Sequence, residues 1–195
     1  MRTILPLTMV LAIAACGDEV SVSFGSLSGS YEVSENCFIH VAGSKGEASC
    51  NWTETDYSQQ SERSGTLKFS LSESRITANL IATKRDRWCW DDECDPWTQC
   101  TYTIDASGDK VSGRSSEGQF SPLAGAWTGL VEIRETCFFE GIPEISSSLV
   151  TFSADIGGNA ASISHTDLAT SDQQAFAVTA TDGGLEIDGD FVRKL

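Results

Sequence analysis

This sequence predicts an all-β, antiparallel fold. Two tandem repeats form a meander that closes as one β-barrel of about ten strands or packs as two half-barrels, stapled by disulfides. Three observations predict it. Serine, threonine and glycine are abundant, and no long stretch carries apolar residues at helical spacing, whereas short alternating runs recur. Glycine- and aspartate-bearing turns separate those runs: Tyr102-Thr103-Ile104-Asp105-Ala106 is expected to turn at Ser107-Gly108-Asp109, and Phe176-Ala177-Val178-Thr179-Ala180 at Asp182-Gly183-Gly184. Six of the seven cysteines, Cys37, Cys50, Cys89, Cys94, Cys100 and Cys137, form an even set, as disulfide frameworks of exported proteins do.

The chain opens on residues 1–15, with Arg2 as a positive start, then an apolar run interrupted by Pro6 and Thr8. That run is too short for the about 30 Å of a bilayer core, and it has the form of a secretory signal. Ile13-Ala14-Ala15-Cys16 resembles the lipobox of bacterial lipoproteins. The resemblance implies cleavage before Cys16, a diacylglyceryl group on its sulfur and acylation of its amine, with palmitate-type chains. Two or three such chains anchor a protein firmly. Cys16 is therefore the expected lipidation site and the bilayer its first partner. Gly17 after the cysteine favours the outer membrane by the same resemblance. An ordinary signal peptide leaving a free thiol is the alternative.

Residues 16–28 form the lipidated terminus and a polar spacer of at most about 40 Å. The first β repeat is expected over 29–113, a linker over 114–124 and the second repeat over 125–195. Leu27-Ser28-Gly29-Ser30-Tyr31, followed by Cys37-Phe38, matches Leu123-Ala124-Gly125-Ala126-Trp127, followed by Cys137-Phe138. Gly65-Thr66-Leu67-Lys68-Phe69-Ser70 matches Ser148-Leu149-Val150-Thr151-Phe152-Ser153, and residues 75–80 match 159–164 in the same order. The general patterning of antiparallel sheets is the competing explanation. The second repeat alone would bury a marginal core, so the halves are expected to share one sheet system, whose closure removes exposed edges.

In a hairpin turning at Gly43-Ser44, Cys37 falls opposite Cys50, within disulfide reach. A loop around residues 92–96 puts Cys89 opposite Cys100 and leaves Cys94 to reach Cys137. The rival pairing joins Cys89 to Cys94 and Cys100 to Cys137. The opening Leu-x-Gly-x-aromatic with its hairpins resembles the lipocalin and avidin class of barrels. That resemblance implies a packing role for Tyr31 and Trp127 at a closed barrel end and carries no ligand residue.

One of the 13 basic residues, Arg2, lies in the leader, leaving 12 against 28 acidic side chains in the mature part, a net charge of −16. That sign argues against nucleic acid or an anionic headgroup surface as the main partner. The candidate binding surface is residues 84–97, which hold three of five tryptophans. In a strand Trp88 and Trp90 share one face with Cys89 on the other. With Trp97, Arg85 and Arg87 they would offer flat rings and basic groups to a glycan, a small apolar ligand or an envelope protein. The structural alternative packs them over core and disulfide. Asp91-Asp92-Glu93 with Asp95 lacks calcium-loop spacing, and export favours disulfides over zinc for Cys89, Cys94 and Cys100. No metal and no cofactor is expected. Neither a nucleophile elbow nor a phosphate loop occurs, and His40 and His165 sit in strand- and turn-like surroundings. The expected function is a noncatalytic, membrane-anchored binding module of the envelope; the alternative is a structural or protein-interaction lipoprotein.

Overall fold

The computed structural model describes residues 25–56, 58–72, 74–90, 93–113, 115–139 and 142–195. The leader, Cys16, most of the spacer, and Asp91-Asp92 of the acidic tip lie outside the described residues. Thirteen strands follow in chain order: β1 (Gly29–Ser34), β2 (Cys37–Ala42), β3 (Lys45–Asp56), β4 (Gln59–Ser72), β5 (Arg75–Trp90), β6 (Glu93–Cys94), β7 (Thr98–Gly113), β8 (Gly125–Phe139), β9 (Ile142–Gly157), β10 (Ala160–Asp167), β11 (Gln173–Thr181), β12 (Gly184–Ile187) and β13 (Asp190–Lys194). All but the two-residue β6 form one antiparallel meander of twelve strands, which closes where β1 pairs with β13. The fold is therefore one barrel, not two half-barrels, and it has more strands than expected. One reason is local: Glu35-Asn36 turns the chain, splitting the run from Ser30 to Val41 into β1 and β2.

Inward residues recur with period two and are apolar, among them Ile76, Ala78 and Leu80 on β5 and Val150, Phe152, Ala154 and Ile156 on β9. Together with Tyr31, Trp127 and Leu185 they make one continuous cluster that fills the barrel. Outward positions are mixed, with Phe38, Ile81, Leu130, Leu149 and Phe191 exposed among polar residues. Ser30, His40, Glu47, Lys68, Asn79, Asp105 and Glu132 lie in one cross-strand row. The apolar interior is the opposite of the polar interior of a lipid-crossing barrel.

The expected turn at Ser107-Gly108-Asp109 is not made: β7 runs straight through to Gly113. Gly108 serves packing instead, since a Cβ there would lie 2.6 Å from the Phe152 ring. Between β7 and β8, residues 115–124 are more than a linker. Phe120 and Leu123 are buried against the barrel floor, and the Phe120 N–H donates to the Gly158 carbonyl at 2.9 Å.

Two matching devices start the first and the seventh barrel strands. A 3-10 turn (Gly25–Leu27; Ser121–Leu123) leads to a glycine at φ +149° (Gly29) or +142° (Gly125), a backbone that L side chains rarely adopt. A buried aromatic then bonds the leucine carbonyl four residues back: Tyr31 Oη to Leu27 at 2.7 Å, Trp127 Nε1 to Leu123 at 3.0 Å. A lysine from the neighbouring strand lies over each ring at 5.5 Å, Lys194 on Tyr31 and Lys110 on Trp127. The other sequence matches fall on strands of unlike rank, β4 with β9 and β5 with β10.

Candidate functional site

The twelve strands are unequal, and that inequality makes the site. Strands β3, β4, β5, β7, β8 and β9 have 12 to 16 residues, the others 4 to 9. The long ones rise past the closed ring as a free-standing wall. Residues 142–148 of β9 and 52–56 of β3 have a ladder partner on one side only. The wall tops out about 20 Å above the Cys37–Cys50 row, at about 3.3 Å per residue. Gly29 pairs with Val41 beside the Gly43-Ser44 turn, so the chain enters the barrel at the end opposite the wall's tip.

Disulfides brace this end. Cys37 is bonded to Cys50 as the hairpin register requires. The pairing of Cys89 with Cys100 and Cys94 with Cys137 is overturned: the bonds are Cys89–Cys94 and Cys100–Cys137, the rival set. Register explains it. Cys100 faces Lys84 on β5, and Cys137 on its other side. A side hairpin pairs Trp90 with Glu93 and sets Cys94 opposite Cys89. Cys100, Glu135 and Cys137 are the one metal-type grouping among the described residues, and the bond between the two sulfurs removes the thiolates a metal would need.

The continuous β4–β5–β7 register carries the inward parity of Ile76, Ala78 and Leu80 up to Lys84, Asp86, Trp88 and Trp90. The Trp88 and Trp90 rings are near-parallel, 13° apart with centroids at 6.5 Å, and are 47% and 66% exposed. They do not cover the core. Arg85 and Arg87 lie on the outer face with Cys89, and both guanidiniums stack on Trp97, at 4.7 and 4.4 Å. Arg85 also meets Glu62 at 3.4 Å, and Arg87 donates twice to Gln60 Oε1 at 2.9 and 2.7 Å. The five sequence candidates thus divide into an open tryptophan pair inside and a closed Trp97–arginine stack outside.

No family model, curated protein or solved structure matches this chain. Its chemistry is read from its own geometry.

Below the tryptophans lies a polar cluster that the sequence reading did not assemble. Lys84 Nζ meets Asp86 Oδ2 at 2.6 Å, and Ser61 donates to Asp86 Oδ1 from the facing position on β4. Burial works to raise the Asp86 pKa, but hydrogen bonds from Lys84 and Ser61 and the charges of Lys84 and Arg63 outweigh it and hold the carboxyl below its usual range. Four residues lower, opposite Ala82, burial together with the hydrogen bond and charge of Glu135 drives Tyr102 well above the ordinary phenol range. Arg63 buries its Nε without a hydrogen-bond partner. The readable signal was the alternation Lys84-x-Asp86-x-Trp88-x-Trp90, which puts all four on one face.

The histidines are apart from this site. His40 points outward into a shallow open depression of about 760 Å³, with Nδ1 3.0 Å from Ser30 Oγ and Glu47 opposite in register. No hydrogen bond joins Glu47 to the ring among the described contacts, and an acyl-transfer triad needs that bond to orient its base. His165 points inward on β10 with its Nδ1 buried and unpartnered. Burial lowers its pKa, and Asp167 opposes the shift.

Proposed function

We propose that this chain is a noncatalytic binding module, tethered to the bacterial cell envelope by acyl chains on Cys16, that holds Trp88 and Trp90 out to its ligand. The observation that carries the reading is the exposed, near-parallel tryptophan pair on the wall's inner face. Large aromatics left in water on a disulfide-braced scaffold are expensive unless they contact something. The entry point at the opposite end of the barrel supports the same reading, because an anchor there points the tip away from the membrane. A doubled origin belongs to this proposal too: the paired Leu27–Tyr31 and Leu123–Trp127 devices suit two tandem repeats, of which only the first acquired the tryptophan hairpin.

Binding of the purified protein to isolated envelopes tests the surface. Replacing Trp88 and Trp90 with alanine is expected to abolish binding while leaving the unfolding midpoint unchanged; retained binding overturns the proposal. Mass spectrometry of the native product tests the anchor, and an unmodified thiol at Cys16 would overturn it.

A second reading has its own observation. The unpaired upper edge of β9 exposes Ile142 and Ile145, 71% and 67% accessible. Such an edge accepts an added strand, as a protein-interaction lipoprotein would use. Crosslinking from position 145 in cells would then recover one stoichiometric partner, and random neighbours would refute it.

A further inference from the structure

Resting on the wall as the binding surface, we propose that the Trp88–Trp90 pair receives a guanidinium, so that its ligand is an arginine-bearing basic polypeptide segment. The face of an indole or phenol ring is electron-rich and attracts cations. This molecule uses that attraction on three other rings: two arginines on Trp97, Lys110 on Trp127 and Lys194 on Tyr31. Among the described residues no cation lies over Trp88 or Trp90, although both rings are open to solvent. Lys84 is engaged by Asp86, Arg85 by Glu62 and Arg87 by Gln60, and Arg63 lies lower on the inner face, level with Lys84.

At the tip, the charged residues beside the pair are acidic. Glu93 is the cross-strand partner of Trp90 and is exposed. Asp95 is exposed, and its N–H donates to the Trp88 carbonyl at 2.8 Å. Asp86, two residues below Trp88 on the same face, is already matched by Lys84 and adds nothing to this attraction. A formal net charge of −15 over the chain draws basic partners from a distance. Guanidinium fits better than ammonium, since it is planar, weakly hydrated and able to stack while donating to a carboxylate. The Arg85–Trp97–Arg87 stack shows the same hairpin holding guanidiniums in this way. A neutral sugar could stack on the rings and donate hydroxyls to Glu93, but it lacks the charge attraction that a guanidinium gains there.

Titrating the full chain with an oligoarginine peptide, an oligolysine peptide and a neutral chito-oligosaccharide, read by tryptophan fluorescence and calorimetry, tests this. Oligoarginine should bind more tightly than oligolysine. Its affinity should fall about tenfold in Trp88→Ala/Trp90→Ala, fall several-fold in Glu93→Gln, and weaken with salt. Oligoarginine affinity unchanged by the tryptophan substitutions would mean charge attraction alone and would overturn the inference. Tryptophan-dependent binding of the sugar without such binding of oligoarginine would overturn it too, while leaving the wall as the binding surface. Loss of all tryptophan dependence, towards these probes and towards envelopes, would overturn both.

Discussion

Trp127 and Trp88 point to the same side of one continuous sheet, yet Trp127 is wholly buried and Trp88 is 47% exposed. Parity along the strand is the same for both; what differs is whether the barrel is closed at their level. Around Trp127 all twelve strands are present, so inward means core. At Trp88 only the long strands remain, and an inward residue faces open water. One period-two rule thus builds a packing residue low in the barrel and a contact surface high on the wall.

The largest break in that comparison should come from Trp127→Ala. Emptying a fully buried tryptophan site costs about 3–5 kcal/mol, and the orphaned Leu123 carbonyl adds to it. Denaturant unfolding should show most of the stability gone, whereas Trp88→Ala and Trp90→Ala should stay within about 1 kcal/mol of the parent. Comparable losses at both places would mean that the wall and the ring fold as one equally packed body.

The disulfides sharpen the comparison at intermediate size. Replacing Cys100 and Cys137 by serine opens a loop with sequence separation 37, worth about 4 kcal/mol if chain entropy alone acts. The Cys89–Cys94 bridge, with separation 5, is worth about 2 kcal/mol on the same account. Hydrogen exchange should show protection lost in the wall of both variants before it is lost in the ring. Uniform loss would deny the wall any independence.

How much of this was legible follows the same division. The Cys37–Cys50 bond could be read because a two-residue turn at Gly43-Ser44 fixes register for the strands on both sides. Cys89 could not be paired by that rule, because the top of β5 pairs with β6 and the β5–β7 ladder reaches only to Asp86 and Thr98. The shared face of Trp88 and Trp90 was visible in their spacing. The same spacing sends Arg85 and Arg87 to the other face, and reading both together would have split the candidate surface at once. The exposure of the tryptophans was hidden, since it depends on strand lengths on the far side of the barrel. So was the Ser61–Asp86–Lys84 cluster, because it needs the β4–β5 register. Lipidation at Cys16 stands on its sequence resemblance.

His165 marks the ring's response to acid. Its folded pKa lies below the about 6.5 of an unfolded histidine because burial disfavours the cation. Between those two values the unfolded chain carries the extra proton, so stability should fall as pH drops below about 6.5 and level off beneath the folded value. His165→Gln should flatten that limb by up to one proton in the slope of unfolding free energy against pH. An unaltered slope would mean that the imidazole is hydrated in the fold.

The smallest effect should come from Asp86, the wall's counterpart to that histidine, with the opposite sign of charge. Its folded carboxyl is held below the ordinary aspartate range, so its contribution is present at neutral pH and is lost as pH falls through the lowered value. The carboxylate is partly open to water, and solvent screening keeps the gain small. Asp86→Asn should therefore change neutral-pH stability little while removing part of the acid dependence below about pH 4. It would also free Lys84 and Ser61 on the wall's inner face. If Lys84 then swings towards Trp88, quenching of the pair's fluorescence and weaker binding of oligoarginine should appear together. An unchanged emission spectrum with unchanged binding would show that the polar cluster and the tryptophans act separately.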